Sequence, residues 1–262
     1  MPFQALEIQL TGPVATIWMN RPDLHNAFDE SLITELTAAC MALDDDADVR
    51  VVILAGRGKS FSAGADLNWM KRAANNGLDD NLNDARALAK MLRVLAEMKK
   101  PTIARVQGAA LGGGMGLAAA CDIAVASTKA VFATSEVKFG IIPSAISPYV
   151  LRAIGARQAY RYFQSAERID ATRAREIGLV HEAVEPEQLD AKVQEIVDSL
   201  LQGGPLSQVA AKDLIRAVSG RPINDTLVDD TAHRIAHLRA TPEAREGIAA
   251  FLDKRQPNWI GE

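Results

Sequence analysis

The sequence predicts an α/β protein with a mostly parallel sheet in its core and a helical C-terminal third. Through the first half of the chain, apolar β-branched runs alternate with segments of helical period. This order is typical of a parallel sheet joined by right-handed crossovers. After residue 147 the pattern becomes almost wholly helical. At 262 residues, the chain is long enough to bury a full hydrophobic core.

The strands of the core are predicted from short apolar or alternating runs. Residues 49–55 are nearly all apolar and rich in β-branched side chains, as expected for a strand buried on both faces. The other predicted strands are 6–10, 14–19, 102–106, 123–126, 131–133 and 179–184. Helices are predicted at 31–43, with Asp29 as its cap, at 82–98, which ends before Pro101, and in a segment ending at Ala120.

The C-terminal part of the chain is predicted to be helical with apolar faces. The predicted helices are 149–154, 156–164, 171–177, 186–201, 205–218, 224–239 and 242–254. Faces of this kind must pack on the core or on another subunit. We therefore expect an α/β core over residues 1–200 and a helical region over residues 201–262.

Composition and charge exclude several classes of function. The net charge of −4 gives no electrostatic support for a nucleic-acid or anionic-membrane partner. Cys40 and Cys121 are expected to be reduced core residues, since two cysteines cannot form a disulfide framework. His233 and His237 lie four residues apart but lack the H-E-x-x-H pattern, so no metal is expected. Because no signal peptide or membrane span is recognisable, we expect a cytoplasmic protein.

Two glycine-broken segments, FSAGADL at 61–67 and GAALGGGMG at 108–116, are the most informative motifs. Each follows a predicted strand and leads into a predicted helix. Glycine lets another group approach the backbone N–H donors, and a helix N-terminus favours negative charge. Together the segments predict an oxyanion hole for chemistry on a carbonyl group. The dinucleotide and P-loop spacings are absent. Tight helix–strand packing that merely requires small residues remains the alternative.

Glu136 is the candidate acid–base residue. It directly follows the predicted strand 131–133 and precedes an apolar run. Burial in such surroundings favours the neutral carboxyl group, which suits general acid–base catalysis. The alternative is an exposed loop glutamate that pairs with Lys138.

Taken together, these segments resemble the crotonase, or enoyl-CoA hydratase/isomerase, superfamily. The matching stretches are 20–28 (NRPDLHNAF), 61–67, 108–122, 136–143 and 251–255. The resemblance implies a spiral of ββα turns with a helical C-terminal trimerisation region, in a homotrimer or a hexamer built as a dimer of trimers. It also implies an acyl-CoA substrate and no separate cofactor, since CoA is part of the substrate.

The resemblance also implies the roles of individual residues. Catalysis would use Glu136 and the N–H groups of Ala65 and Gly113. The adenine would lie near His25 and Ala27, and Lys254 or Arg255 of a neighbouring subunit would meet the phosphates. The full set of substrate-binding positions is His25, Ala27, Ala63, Ala65, Asp66, Leu67, Asn68, Gly113 and Lys254.

One departure from the family pattern affects the expected reaction. Hydratases of the fatty-acid type carry a second glutamate at the position of Gly116. The sequence therefore predicts a site with one carboxylate and free space beside Gly116. A second water, a hydroxyl group such as that of Ser144, or the substrate's own carboxylate would take the part of the missing glutamate. The stretch 135–149 is similar to bacterial methylglutaconyl-type hydratases of leucine or isoprenoid breakdown.

We therefore expect hydration of a 2-enoyl-CoA thioester, with a methylglutaconyl-type substrate as the implied specificity. The metabolic setting would be fatty acid metabolism or leucine degradation. Two alternatives stay open. A single glutamate suits an enoyl-CoA double-bond isomerase, and a non-catalytic acyl-CoA-binding protein would share the same fold.

Overall fold

Nine strands and ten α-helices are found in the computed structural model, which describes residues 3–260. The strands are β1 (Leu6–Thr11), β2 (Val14–Met19), β3 (Val51–Gly56), β4 (Thr102–Val106), β5 (Ala109–Leu111), β6 (Ile123–Ser127), β7 (Val131–Ala133), β8 (Ile169–Asp170) and β9 (Glu182–Val184). The helices are α1 (Glu30–Asp45), α2 (Leu67–Ala73), α3 (Leu78–Glu97), α4 (Gly113–Ala120), α5 (Ser147–Ser165), α6 (Ala171–Glu176), α7 (Leu189–Gln202), α8 (Pro205–Val218), α9 (Asp225–Arg239) and α10 (Pro242–Leu252).

The larger sheet has six strands in the order β1-β2-β3-β4-β6-β9. Strands β1 and β2 form an antiparallel hairpin, in which Leu6 pairs with Met19 and Thr11 with Val14. Every later neighbour in this sheet is parallel. All residues of β3 are buried, as its apolar composition predicts for an inner strand. The predicted α/β class with a parallel sheet is confirmed.

A second sheet of three short strands, β5-β7-β8, carries one of the glycine segments. Strand β5 runs parallel to β7, with Ala110 opposite Phe132. Neither β5 nor β8 was predicted, because β5 lies inside the glycine segment and β8 has only two residues, too few to show an alternating pattern. Helix α2 begins directly after the first glycine segment, as predicted, and the Asp66 side chain caps its N-terminus.

Local signals account for the helix boundaries that were predicted. The Asp29 carboxylate caps α1 by accepting a hydrogen bond from the N–H of Leu32 at 2.9 Å. Helix α5 contains a kink at Gly155, whose φ of 72° is non-helical. The kink separates the two helices that the sequence predicts in this region. Cys40 and Cys121 are buried and form no disulfide among the described residues, which confirms their assignment to the core. Burial raises the pKa of the Cys40 thiol to about 12.

The described chain divides into two compact units. The first consists of residues 3–98 and 102–194, and it contains both sheets. The second consists of residues 99–101 and 195–260, and it is built mainly from α8, α9 and α10. The sequence-based division at residue 200 stays a prediction, and its outer limits, residues 1 and 262, lie outside the described residues.

Within the second unit, polar side chains fix the helix ends. The Asn224 side chain caps α9, and Thr241 caps α10. Glu243 of α10 accepts a hydrogen bond from the N–H of Ser207 in α8 at 2.8 Å. Ile215, Val228, Ile248 and Phe251 expose large parts of their apolar side chains. Across residues 3–260, none of the helices is both long and apolar enough to cross a membrane.

Candidate active site

The two glycine segments lie side by side in the first unit. The N–H of Ser62 donates to the carbonyl of Ala109 at 3.0 Å, and the N–H of Leu111 donates to the carbonyl of Ser62 at 2.9 Å. Gly64 has a φ of +90°, and a Cβ there would lie 2.8 Å from the Leu111 carbonyl oxygen. Only glycine therefore allows this approach of the two backbones.

Each segment presents an unpaired backbone donor next to its positive-φ glycine, namely the N–H of Ala65 after Gly64 and the N–H of Gly113 after Gly112. The residues around Ala65 are held by Phe28, whose N–H donates to Gly64 and whose carbonyl accepts from Asp66. The N–H of Ala65 itself donates to no partner in residues 3–260. Gly113 is the first residue of α4, where an N–H has no intrahelical acceptor. The unpaired N–H groups of Ala65 and Gly113 therefore directly follow two glycines that lie close together. A Cβ on Gly64 would lie 3.8 Å from Gly112 Cα.

The Glu136 carboxylate lies against the same glycines. It begins a short 3₁₀ turn, Glu136–Phe139, shortly after β7. A Cβ on Gly112 would lie 3.1 Å from Glu136 Oε1, and Gly112 has a φ of +50°. Glu136 Oε2 is buried and has no hydrogen-bond partner. This burial raises the pKa of Glu136, and a contact with its own backbone N–H opposes the shift in part.

The predicted alternative for Glu136 was an ion pair with Lys138. Lys138 is exposed, and no ion pair joins it to Glu136. The predicted exposed glutamate is therefore wrong. The 3₁₀ turn directs the Glu136 side chain into the protein and leaves Lys138 in solvent.

The space expected beside Gly116 is absent. A Cβ on Gly116 would lie 2.2 Å from Ile146 Cγ2 and 2.7 Å from Ile146 Cβ. Both residues are buried. The expectation of free space was wrong, because the residue that precedes α5 packs its branched side chain directly onto the glycine.

A cavity of about 460 Å³ joins these features. This volume falls in the range of about 300–1,000 Å³ that is usual for small-molecule sites. Of the sequence-predicted site residues, Ala63, Ala65, Leu67, Gly113 and Glu136 line it. The structure thus brings together the two free N–H donors and the buried carboxylate in one cavity.

Other predicted binding residues have structural contacts instead. Asp66 Oδ1 caps α2 by accepting from the N–H of Asn68 at 2.8 Å, and Arg21 contacts Asp66 Oδ2 at 3.3 Å. His25 Nδ1 lies 3.1 Å from Ser60 Oγ, and Ala27 is buried. None of Asp66, His25, Ala27 or Asn68 lines the cavity.

Lys254 belongs to the second unit, where it is exposed with a φ of 55°. Its neighbour Arg255 forms an ion pair with Glu246 at 2.6 Å. That pairing lowers the pKa of Glu246 to about 2.

Sequence reasoning missed the helical wall of the cavity. Asn81, Asp84, Ala85 and Leu88 of α3 all line it. Their spacing of three, four and seven residues places them on one face of a helix. This periodicity is present in the sequence, but the helix was predicted only from the helical spacing of Leu88, Leu92 and Leu95. Phe28, Trp69, Phe139 and Ile142 also line the cavity.

The fold and this cavity define a member of a known enzyme family. Residues 9–262 match the model of the family described as enoyl-CoA hydratase/isomerase, and the chain belongs to this family. The resemblance to crotonases inferred from the sequence is thereby confirmed.

Individual relatives span nearly the whole chain. A solved enoyl-CoA hydratase from Shewanella pealeana is 42% identical, with a TM-score of 0.95, and the match covers 98% of this chain and 96% of that one. A crotonyl-CoA hydratase from Syntrophomonas wolfei is 33% identical over 100% of both chains. A 2,3-dehydroadipyl-CoA hydratase from Escherichia coli is 32% identical over 95% of both.

Proposed function

We propose that this protein catalyses the addition of water to a 2-enoyl-CoA thioester. The observation that carries the proposal is the meeting of two unpaired backbone N–H groups, on Ala65 and Gly113, with the buried Glu136 carboxylate in one cavity. Two converging N–H donors suit the oxygen of a thioester that gains negative charge. The membership of the chain in the hydratase/isomerase family supports the same chemistry.

The proposed reaction proceeds through an enolate. The N–H groups of Ala65 and Gly113 donate to the thioester oxygen, and each such donor typically stabilises a transition state by about 3 kcal/mol. Glu136 takes a proton from water as the water oxygen bonds to C3. The electron pair of the double bond moves onto the thioester. Glu136 then delivers a proton to C2, and the carbonyl re-forms.

The proposal assigns both proton transfers to Glu136, because Gly116 and Ile146 fill the position of a second carboxylate. A raised pKa suits this double use, since the group must both accept and release a proton near neutral pH. Ser144 lines the cavity and offers a hydroxyl group that can hold the attacking water.

Double-bond isomerisation is the second candidate, and the single carboxylate favours it. One glutamate can move a proton between C2 and C4 over the same oxyanion hole. The two reactions differ in the absorbance of the conjugated thioester. Hydration of crotonyl-CoA removes this absorbance, whereas an isomerase leaves it unchanged and generates it from a 3-enoyl-CoA. Binding of both thioesters without conversion of either would indicate a non-catalytic acyl-CoA-binding protein.

We propose the remaining properties on the same basis. CoA would extend from Ala65 along residues 63–68 towards His25, with no separate cofactor. The exposed apolar side chains of the second unit, such as Ile215 and Phe251, support a homotrimer or a dimer of trimers, which sedimentation would measure. Lys254 would then contact the nucleotide phosphates of a neighbouring subunit.

A cytoplasmic location and a role in fatty acid or leucine breakdown complete the proposal. A methylglutaconyl-type substrate would carry a second carboxylate in its acyl group.

A further inference from the structure

The guanidinium group of Arg21 joins three acceptors beside the first glycine segment. Its Nη1 donates a hydrogen bond to the carbonyl of Ala27 at 2.5 Å. Its Nη2 lies 2.8 Å from Asp29 Oδ2 and donates to Asp66 Oδ2 at 3.3 Å. We infer that Arg21 is a positioning residue of the oxyanion hole, which orients and polarises the N–H of Ala65 through two intervening peptide groups. This inference rests on the proposed acyl-CoA function.

A chain of hydrogen bonds runs from Arg21 to Ala65. The carbonyl of Ala27 shares a planar peptide group with the N–H of Phe28, and this N–H donates to the carbonyl of Gly64 at 2.7 Å. The carbonyl of Gly64 in turn shares a peptide group with the N–H of Ala65. Every link therefore donates in the same direction, from the Arg21 cation through two peptide groups to the N–H that would meet the thioester oxygen.

This chain sets the direction of the Ala65 N–H. Both peptide groups are trans, so the carbonyl and the N–H of each point in opposite directions. Because the carbonyl of Gly64 points at the N–H of Phe28, the N–H of Ala65 points away from it. The N–H of Asp66 donates to the carbonyl of Phe28 at 2.8 Å and holds the other side of Ala65. Ala65 is thus fixed between two backbone hydrogen bonds where it lines the cavity.

Arg21 also joins the two helix caps on either side of this chain. Asp29 uses Oδ1 to cap α1, and Asp66 uses Oδ1 to cap α2. Each carboxylate turns its Oδ2 to Arg21. The side chain of Arg21 is 16% exposed and that of Asp66 is 9% exposed, so salt screens their contact weakly. The guanidinium group therefore holds the start of α1 and the start of α2 together at the oxyanion hole.

The positive charge of Arg21 acts on the donor in two ways. Hydrogen bonds in a chain polarise one another, so a cation at the beginning makes the last N–H a stronger donor. The cation also compensates the Asp66 carboxylate, which directly follows Ala65 and would otherwise oppose negative charge on the thioester oxygen. Both effects increase as the thioester becomes an enolate. Loss of Arg21 should therefore lower kcat more than it weakens substrate binding.

The carbonyl stretching band of a bound thioester measures the strength of the oxyanion hole without turnover. Butyryl-CoA with a ¹³C label at the thioester carbonyl has no double bond to hydrate, and isotope-edited infrared difference spectroscopy isolates its band. Hydrogen bonds to the oxygen lower the frequency of this band. We expect the full-length wild type to lower the frequency relative to water, and we expect Arg21→Met to return it at least halfway.

Steady-state kinetics with crotonyl-CoA should show the same effect on the reaction. We expect kcat of Arg21→Met to fall about tenfold, because a weakened donor costs less than the loss of a whole donor, which typically lowers kcat by about 10²–10³-fold. KM should stay within about twofold of the wild-type value, since the interaction strengthens mainly in the transition state.

Arg72→Met is the matched control. Arg72 also joins α2 to α1, through Glu30 at 2.8 Å, but it is exposed and lies outside the hydrogen-bond chain. Its replacement should leave the band and kcat unchanged. Arg21→Lys keeps the charge, but one ammonium group cannot span three acceptors as the guanidinium fork does, so its band should lie between those of the wild type and Arg21→Met. This variant decides the test if Arg21→Met does not fold.

A wild-type band position in every Arg21 variant that folds would overturn the inference alone. A loss of unfolding stability without a shift of the band would do the same, because it would restrict Arg21 to a structural role. If the wild type does not bind butyryl-CoA, or binds it without lowering the band frequency, the proposed oxyanion hole itself fails.

Discussion

The two ends of one short glycine-rich stretch have opposite surroundings. At the start of α4, Gly112 and Gly113 face the cavity, and the carboxylate of Glu136 lies beside them. One turn later, Gly116 is buried against Ile146, with no room for even a methyl group. The first end exposes backbone N–H groups to the cavity, although a Cβ on Gly113 would lie 2.1 Å from Phe28 Cε2. The second end uses its missing side chain for packing alone.

This contrast shows that both interpretations of the glycine segment apply: backbone access at Gly112, packing at Gly116, and both at Gly113. Gly114 also belongs to the packed set, since its Cβ would lie 2.4 Å from the Ser62 carbonyl oxygen. Residue type alone does not distinguish a glycine that frees an N–H from one that accommodates a neighbour. The neighbours in space decide, and here they are Glu136 at one end and Ile146 at the other.

The largest effect is expected at the open end, from Glu136→Gln. The amide keeps the shape of the side chain but cannot transfer the proton, and loss of a general acid–base group typically lowers a rate by about 10²–10⁴-fold. We expect kcat for crotonyl-CoA hydration to fall by this factor with KM almost unchanged. Steady-state kinetics measures both constants.

Glu187→Gln makes the same chemical change at an exposed site outside the cavity, and it should leave both constants unchanged. If Glu136→Gln retained more than half of the wild-type kcat, Glu136 would not be the proton carrier. The cavity would then need another acid–base residue.

A smaller effect is expected at the packed end, from Gly116→Ala. The new methyl group would overlap Ile146, and overpacking of a core typically costs about 1–3 kcal/mol of unfolding free energy. Ile146→Ala in the same chain removes Cγ2 and should relieve part of this cost, so we expect a favourable coupling of about 1 kcal/mol in the double-mutant cycle. Urea unfolding of the four proteins measures it.

Gly77→Ala is the control, because a Cβ on Gly77 has open space around it and its φ of −72° suits alanine. Its cost should stay at or below about 1 kcal/mol, since it changes only a helix N-cap. Unchanged stability of Gly116→Ala would mean that the packed end has room. A glutamate at position 116 could then supply a second carboxylate.

The sequence sufficed for features that depend on local chemistry. The buried run of β3, the Asp29 cap of α1 and the break at Gly155 each follow from residues close in the chain. The apolar surroundings of Glu136 favoured its inward position but left the exposed alternative open. The packing of Ile146 on Gly116 could not be predicted, because it joins residues on two separate elements whose register only the tertiary fold defines.

The smallest effect concerns stability rather than rate, and it arises from the same residue as the largest. Burial raises the pKa of Glu136 above its ordinary value of 4.5, so the folded protein favours the protonated carboxyl group. The stabilisation linked to this proton is fully present below the unfolded pKa and is lost as pH rises through the folded pKa.

At pH 7 the wild type therefore bears the cost of a buried charge that Glu136→Gln avoids. We expect the variant to have the higher Tm at pH 7, and we expect this advantage to shrink as pH falls from 7 towards 4.5. Differential scanning calorimetry across this range, with Glu187→Gln as the baseline, measures the difference. A Tm advantage that grew towards acid pH would contradict the raised pKa, and it would place the carboxylate in a setting that stabilises its charge.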